Sequence, residues 1–149
     1  METQYLTHTA EETRKVGLEF GSLLLPGTLV CFRGDLGAGK TTFIQGILEA
    51  CGARPPFVSP TFVLMKEYHL AAATQNGIRR IYHADAYRME TAEDFEKIGF
   101  SEWCDDPEGV VLLEWPERAE ALLPKTRIDI TLSLESESDT TREIRIVNK

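Results

Sequence analysis

The segment Gly34-Asp35-Leu36-Gly37-Ala38-Gly39-Lys40-Thr41 constrains this chain more than any other feature. It has the form G-x-x-x-x-G-K-[ST]. Residues 28–33 before it form a short β-rich run, and a helical pattern begins near Lys40 and reaches Gly52, with Ile44, Ile47, Leu48 and Cys51 on one stripe. A strand that runs into a glycine loop opening a helix is the context in which this pattern wraps a phosphate. Gly34, Gly37 and Gly39 let the backbone turn tightly, so that the N–H groups from Gly34 through Asp35, Ala38 and onward point inward as an anion nest. The helix start adds free donors and the positive end of the dipole. Lys40 brings a point charge for the β- and γ-phosphates, the Thr41 hydroxyl is a hard oxygen ligand for Mg²⁺, and Thr42 adds a further hydrogen bond.

Phosphoryl chemistry also needs a carboxylate on the metal side and a group that orients the attacking water. Two acids end apolar runs: Glu114 follows Val110-Val111-Leu112-Leu113, and Asp85 follows Ile81-Tyr82-His83-Ala84. In a parallel sheet, ligands sit at the carboxyl ends of the strands, so both acids are expected to face the phosphate loop. Ser59 and Thr61, in Ser59-Pro60-Thr61-Phe62, occupy the place of a switch loop, from which their hydroxyls would approach Mg²⁺ or the γ-phosphate. His83 reads first as a packed or hydrogen-bonded core histidine. It makes no ligand spacing with His8 or His69, which argues against a zinc site. Trp103 and Trp115 read as core or interface anchors.

Charge narrows the partners. Sixteen basic against 24 acidic side chains leave a net charge of −8. Residues 90–120 hold eleven acids against Lys97 and Arg118. A phosphate backbone is bound by lysine and arginine with counterion release, so this face argues against direct nucleic-acid binding by the lone chain. Cys31, Cys51 and Cys104 are scattered, which excludes a disulfide framework and fits a reducing cytosol. No apolar run approaches the roughly 18 residues of a membrane span. The first fifteen residues have no apolar block of a secretory signal. A cytoplasmic protein with no membrane association is expected.

A chain of 149 residues is expected to form one domain, 1–149. Thr9 and Glu12 have the spacing of a capping box for a first helix, with Val16, Phe20, Leu23 and Leu24 on its buried face and Pro26-Gly27 as its stop. Residues 62–70 and 78–84 predict an antiparallel hairpin whose loop holds Asn76-Gly77. Thr91 and Asp94 cap a short helix ending at Gly99, residues 110–113 read as a buried central strand, and residues 128–134 and 144–146 predict a second hairpin. These elements make an α/β domain with a mixed sheet flanked by helices.

Four segments then carry a resemblance: the run from Gly34 to Thr42, Ser59-Pro60-Thr61-Phe62, His83-Ala84-Asp85-Ala86-Tyr87-Arg88, and Leu113-Glu114-Trp115-Pro116-Glu117. Their order and spacing resemble the TsaE (YjeE) family, the bacterial ATPase of tRNA threonylcarbamoyladenosine biosynthesis, over nearly the whole chain. The resemblance implies a P-loop NTPase fold with a mostly parallel sheet finished by antiparallel strands. It implies binding of ATP or ADP with Mg²⁺, slow hydrolysis, and work beside the TsaB and TsaD proteins that modify the adenosine next to the anticodon. It makes Lys40 and the 34–42 backbone the phosphate holders, Thr41 and Glu114 the metal-side ligands, Asp85 the second essential acid, and the region of Thr9 and Ala10 a neighbour of adenine. Two departures stand out. Ala86 replaces a usual leucine, and Thr141-Arg142 lacks the glycine often found before that arginine.

Other P-loop readings remain open at this point. A small-molecule kinase needs an acceptor pocket and an arginine-bearing lid, and only Arg79, Arg80 and Arg88 lie near the site in sequence. A GTPase needs N-K-x-D after a strand, and none is present. A nucleotide-sensing module without turnover is the third. Of the arginines, Arg33 is expected to be engaged in packing, which leaves Arg88 as the local cationic donor.

Overall fold

An apolar run with no polar face belongs in the middle of a sheet, and residues 110–113 are found there. The computed structural model describes residues 1–57, 65–135, 137 and 140–149. Strand β5 (Gly109–Glu114) is buried at every position. It runs parallel to β2 (Leu29–Arg33) on one side and β4 (Arg80–Asp85) on the other. Beyond β2 lies β6 (Ile128–Leu134), also parallel, followed by β7 (Arg142–Asn148) and β1 (Glu2–Thr7), each antiparallel to its neighbour. Strand β3 (Met65–His69) closes the other edge, antiparallel to β4. The order β1-β7-β6-β2-β5-β4-β3 is a single seven-stranded sheet. Its centre is parallel and its edges antiparallel, as expected of the mixed α/β class.

Alternation along the central strands divides the core in two. Val30, Phe32, Val110 and Leu112 face α1 (Ala10–Leu23) and α2 (Lys40–Ala50), where Phe43, Ile44, Ile47 and Leu48 complete one cluster. Leu29, Cys31, Val111 and Leu113 face α3 (Ala92–Lys97), α4 (Phe100–Cys104) and a 3₁₀ segment (Pro116–Leu122), and pack with Phe95, Phe100 and Trp103. Each fully buried aliphatic or phenyl group contributes roughly 1.5–3 kcal/mol, so the period-2 pattern of these strands secures helices on both faces.

The α1–α2 contact departs from the expected apolar stripe. The buried positions of α1 are Thr13, Gly17 and Gly21. Val16 and Phe20 are partly buried, and Leu23 is 78% exposed. Backbone proximity is the reason. A Cβ on Gly17 would strike the Phe43 carbonyl, and one on Gly46 would strike the Arg14 carbonyl. The helices meet through glycine, so the large side chains are displaced to the flanks. Gly46→Ala gains about 1 kcal/mol of helix propensity. Forcing the backbones apart costs about 1–3 kcal/mol, so the variant is expected to be the less stable in urea unfolding. A higher midpoint would show that the helices are not in backbone contact.

The N-terminal details differ slightly from the expected box. Thr9 Oγ1 accepts from Glu12 N–H (3.1 Å), but the Glu12 carboxylate reaches back to the His8 N–H (2.5 Å) rather than to Thr9. Around Thr91 both reciprocal bonds form as expected. Strand β1 and helix α4 are elements that the sequence patterns did not predict. Strand β1 is exposed at five of its six positions and has no apolar alternation to detect. Residues 62–64 of the first predicted hairpin lie outside the described residues. The rest pairs from Met65↔Ala84 to His69↔Arg80.

Candidate nucleotide-binding site

Three neighbouring parallel strands deliver the site. β2 leads into the glycine loop, β4 ends on Asp85 and β5 ends on Glu114, with Asp85 opposite Glu114 and Glu114 opposite Phe32 in register. Gly34, Gly37 and Gly39 take φ values of +144°, +83° and +103°. A side chain at Gly34 would collide with the Leu132 carbonyl of β6. Gly39 caps α2 without a side-chain acceptor, so the first-turn N–H groups are left for another acceptor.

Lys40 is only 6% exposed. Its ammonium donates to the Gly34 carbonyl (2.6 Å) and lies 4.0 Å from the centre of the Trp115 ring. Burial pushes the Lys40 ammonium below its ordinary pKa, opposed by the charges of Glu114 and Asp85. Burial pushes the Asp85 carboxyl above its ordinary value. The Tyr87 N–H, 2.9 Å from Oδ1, acts against that rise, and the Glu114 charge adds to it. Glu114 itself accepts from His83 Nε2 at 2.8 Å, both side chains being buried. His83 is therefore the hydrogen-bonded core histidine expected, but its partner is the strand-end acid.

Trp115 contributes more than an anchor. Its backbone is left-handed at φ +58°, a conformation that costs a non-glycine residue roughly 1–2 kcal/mol. The turn places its ring under Lys40 and against Tyr87, 4.9 Å between centroids. Trp103 is 7% exposed and stacked on Tyr82. It belongs to the core, the first of the two roles expected of it. The acids of residues 90–120 are also largely engaged. Asp106 binds Arg80 and the Tyr82 hydroxyl, Glu117 and Glu120 pair with Arg33, and Asp94 closes the α3 cap. Arg33, expected to be engaged in packing, is instead committed to ion pairs with Glu117 and Glu120.

Two cavities meet at the loop. One, of about 260 Å³, is lined by Gly37, Gly39, Lys40, Thr41, Thr42, Asp85, Glu114 and Trp115, among others. The second, of about 350 Å³, is lined by His8, Thr9, Ala10, Thr13 and Thr140. Gly39, Thr42 and Arg142 line both. The sequence-predicted residues Lys40, Thr41, Thr42, Asp85 and Glu114 are brought together, and Ala10 lies next door. Gly34, Asp35 and Ala38 line the far side of the loop, beside β6. Ser59 and Thr61 lie outside the described residues. Sequence reasoning noted Arg142 only for the missing glycine before it and did not assign it to the site; its Nη2 donates to the Gly37 carbonyl at 3.1 Å across 105 residues. Arg142 lines both cavities, whereas Arg88, the expected local donor, lines neither. A larger apolar groove of about 400 Å³, lined by Phe20, Leu23, Thr28 and Ile128, lies at the opposite end of the strands and holds none of these groups.

The family model for threonylcarbamoyl adenosine biosynthesis protein TsaE matches residues 7–144. The chain belongs to the TsaE family. A TsaE protein of Treponema pallidum (strain Nichols), described as a tRNA threonylcarbamoyladenosine biosynthesis protein, is 37% identical over 141 residues, covering 95% of this chain and 97% of the relative. The TsaE of Bacillus subtilis (strain 168) is 36% identical over 129 residues, covering 87% and 76%. The crystal structure of the Bacillus protein YdiB superposes with a TM-score of 0.77 at 31% identity, over 99% of this chain and 86% of that one. The TsaE family match takes in the glycine loop and both strand-end acids. Among the described residues, no helix is long and apolar enough to cross a membrane.

Proposed function

We propose that this protein binds ATP with Mg²⁺ and hydrolyses it slowly, in the cytoplasm, in support of threonylcarbamoyladenosine formation on tRNA beside the TsaB and TsaD proteins. The observation that carries the reading is the convergence of Lys40, Thr41, Asp85 and Glu114 on one cavity at the carboxyl ends of β2, β4 and β5. The donors fit the ion. Two carboxylates and a hydroxyl are hard oxygen ligands of the kind Mg²⁺ takes together with phosphate oxygens. Thr41 and Glu114 would hold the Mg²⁺, which when bound would supply positive charge against the charge that develops on the phosphates. The chain's own groups supply the rest. The loop N–H groups and Lys40 hold the phosphates, and Thr41 and Glu114 face the metal side. Asp85, whose pKa burial raises, stands beside Glu114 as an acceptor for the attacking water. His83 fixes the orientation of the Glu114 carboxylate through Nε2. The cavity walled by Thr9, Ala10 and Thr13 takes the nucleoside.

Calorimetric titration with ADP and GDP, together with turnover assays, tests the reading. ADP is expected to bind more tightly, since the chain lacks the N-K-x-D guanine motif. Turnover by the lone protein is expected to be weak and to rise when TsaB and TsaD are added, while tRNA alone is not retained. Equal or tighter GDP binding, or robust turnover with no retention on the TsaB–TsaD pair at low salt, would overturn the proposal.

A further inference from the structure

Leu29, Cys31 and Arg33 alternate onto one face of β2. Leu29 and Cys31 pack there in one cluster with Ala119 of the 3₁₀ segment. Arg33 is the last residue of the strand, one position before Gly34. The 3₁₀ segment consists of two turns joined at Ala119, whose φ of −122° is not helical. The Arg33 guanidinium takes one acid from each turn: Nη1 lies 3.3 Å from Glu117 Oε1, and Nη2 lies 3.2 Å from Glu120 Oε2. Behind it stands the buried Asp129 of β6, 3.9 Å from Nη2 and itself held by Arg127 at 3.1 Å and Lys149 at 3.0 Å. The clamp therefore ties the root of the phosphate loop to the segment that follows Glu114 and Trp115. The left-handed backbone of Trp115 is disfavoured for a bulky residue, so the turn persists only where the chain is held on both sides of it. Strand β5 holds the chain before it, and the 3₁₀ segment holds it after.

We infer that Arg33 is a positioning residue: by clamping Glu117 and Glu120 it holds the 3₁₀ segment against β2 and keeps the Trp115 ring beneath Lys40. The inference rests on the nucleotide reading above, since its consequence is the placement of the Lys40 ammonium for phosphate. Arg33 lines neither of the two cavities at the loop, so it acts through the segment. A planar fork serves two carboxylates at once from fixed directions, which suits arginine to a clamp across the Ala119 kink.

The test follows the position of the ring as well as the rate. Trp115 is half-buried and Trp103 is 7% exposed, so acrylamide quenching of tryptophan fluorescence in the nucleotide-free chain reports mainly on Trp115. Quenching, ATP turnover at saturating Mg²⁺ and thermal melting are measured on wild type, on Arg33→Gln, on the double variant Glu117→Gln/Glu120→Gln, and on the three substitutions combined. Two ion pairs of this exposure shift an equilibrium by roughly two- to tenfold. Arg33→Gln is expected to raise quenching and to lower turnover within that range. The double variant should reproduce both effects, and the combined variant should add nothing further, because the three side chains act as one unit. Unchanged quenching in Arg33→Gln overturns the inference whatever its turnover. Raised quenching at unchanged turnover overturns it as well, since the ring then moves without consequence for Lys40. So do additive effects in the combined variant, which mean that Arg33 does not act through the two acids. If Arg33→Gln fails to melt cooperatively, the double variant decides, its side chains being about half exposed, and unchanged quenching there overturns the inference. A wild-type chain without turnover overturns the nucleotide reading itself, and the quenching comparison still decides whether Arg33 holds Trp115.

Discussion

Lys40→Ala is expected to slow ATP hydrolysis by roughly 10²–10³-fold, the effect of removing one preorganised electrostatic group aimed at developing charge. The glycine turns and the first-turn N–H groups of α2 survive the substitution, so the loop keeps its shape and part of its phosphate affinity. What disappears is the ammonium that Gly34 and Trp115 hold in place. Because burial already depresses the pKa of this ammonium, the group is partly desolvated. Its attraction for phosphate is correspondingly stronger than that of a surface lysine. The measurement is steady-state turnover with saturating Mg²⁺ on protein whose melting curve matches wild type. Unchanged turnover in such a protein would falsify the assignment of Lys40.

Glu114→Gln and Asp85→Asn are expected to reduce Mg²⁺-dependent hydrolysis by roughly a hundredfold or more without lowering stability. Both substitutions preserve volume and a hydrogen-bond acceptor. A glutamine carbonyl at position 114 would still accept from His83 Nε2, and an asparagine carbonyl at position 85 would still accept from the Tyr87 N–H. Only the anionic charge is lost. The sign of the stability change follows from the direction of the Asp85 shift. A carboxyl whose folded pKa lies above its unfolded value favours folding when protonated, and that contribution fades as the pH rises past the unfolded value and through the folded one. At neutral pH, without metal, ionised Asp85 therefore opposes folding, and its amide does not. The melting temperature of Asp85→Asn without Mg²⁺ should be equal to or above wild type, and the difference should vanish at low pH. A melting temperature that falls in proportion to activity would mark these acids as structural.

Much of this architecture is legible locally. The strand, glycine loop and helix of residues 28–52 are recognisable because each residue type answers a requirement within a few positions of it. The apolar run before Glu114 reads as a central strand because no face of it is polar, and the structure buries all six residues of β5. The α1–α2 packing is not legible from apolar periodicity. Gly17 and Gly46 act through the absence of a side chain, and an absence carries no hydrophobic signal. Strand β1 is hidden for a related reason: at a sheet edge the backbone pairing with β7 holds it, not a buried face.

The site divides along the same line. Local pattern, with no knowledge of strand order, identifies the phosphate loop, Lys40, Thr41 and the two strand-end acids, because β2, β4 and β5 all run the same way and any acid at their ends faces the loop. Three features needed the tertiary structure. His83 meets Glu114 across 31 residues because β4 and β5 are adjacent and in register. The Trp115 ring reaches Lys40 because a left-handed turn follows β5 directly. Arg142 reaches Gly37 because β6 pairs with β2, with Arg33 opposite Thr131, which brings the hairpin end over the loop. Periodicity and motif spacing specify which runs are strands and what stands at their ends. Which strands become neighbours depends on how the helices and hairpins pack together, and no window of adjacent residues contains that information.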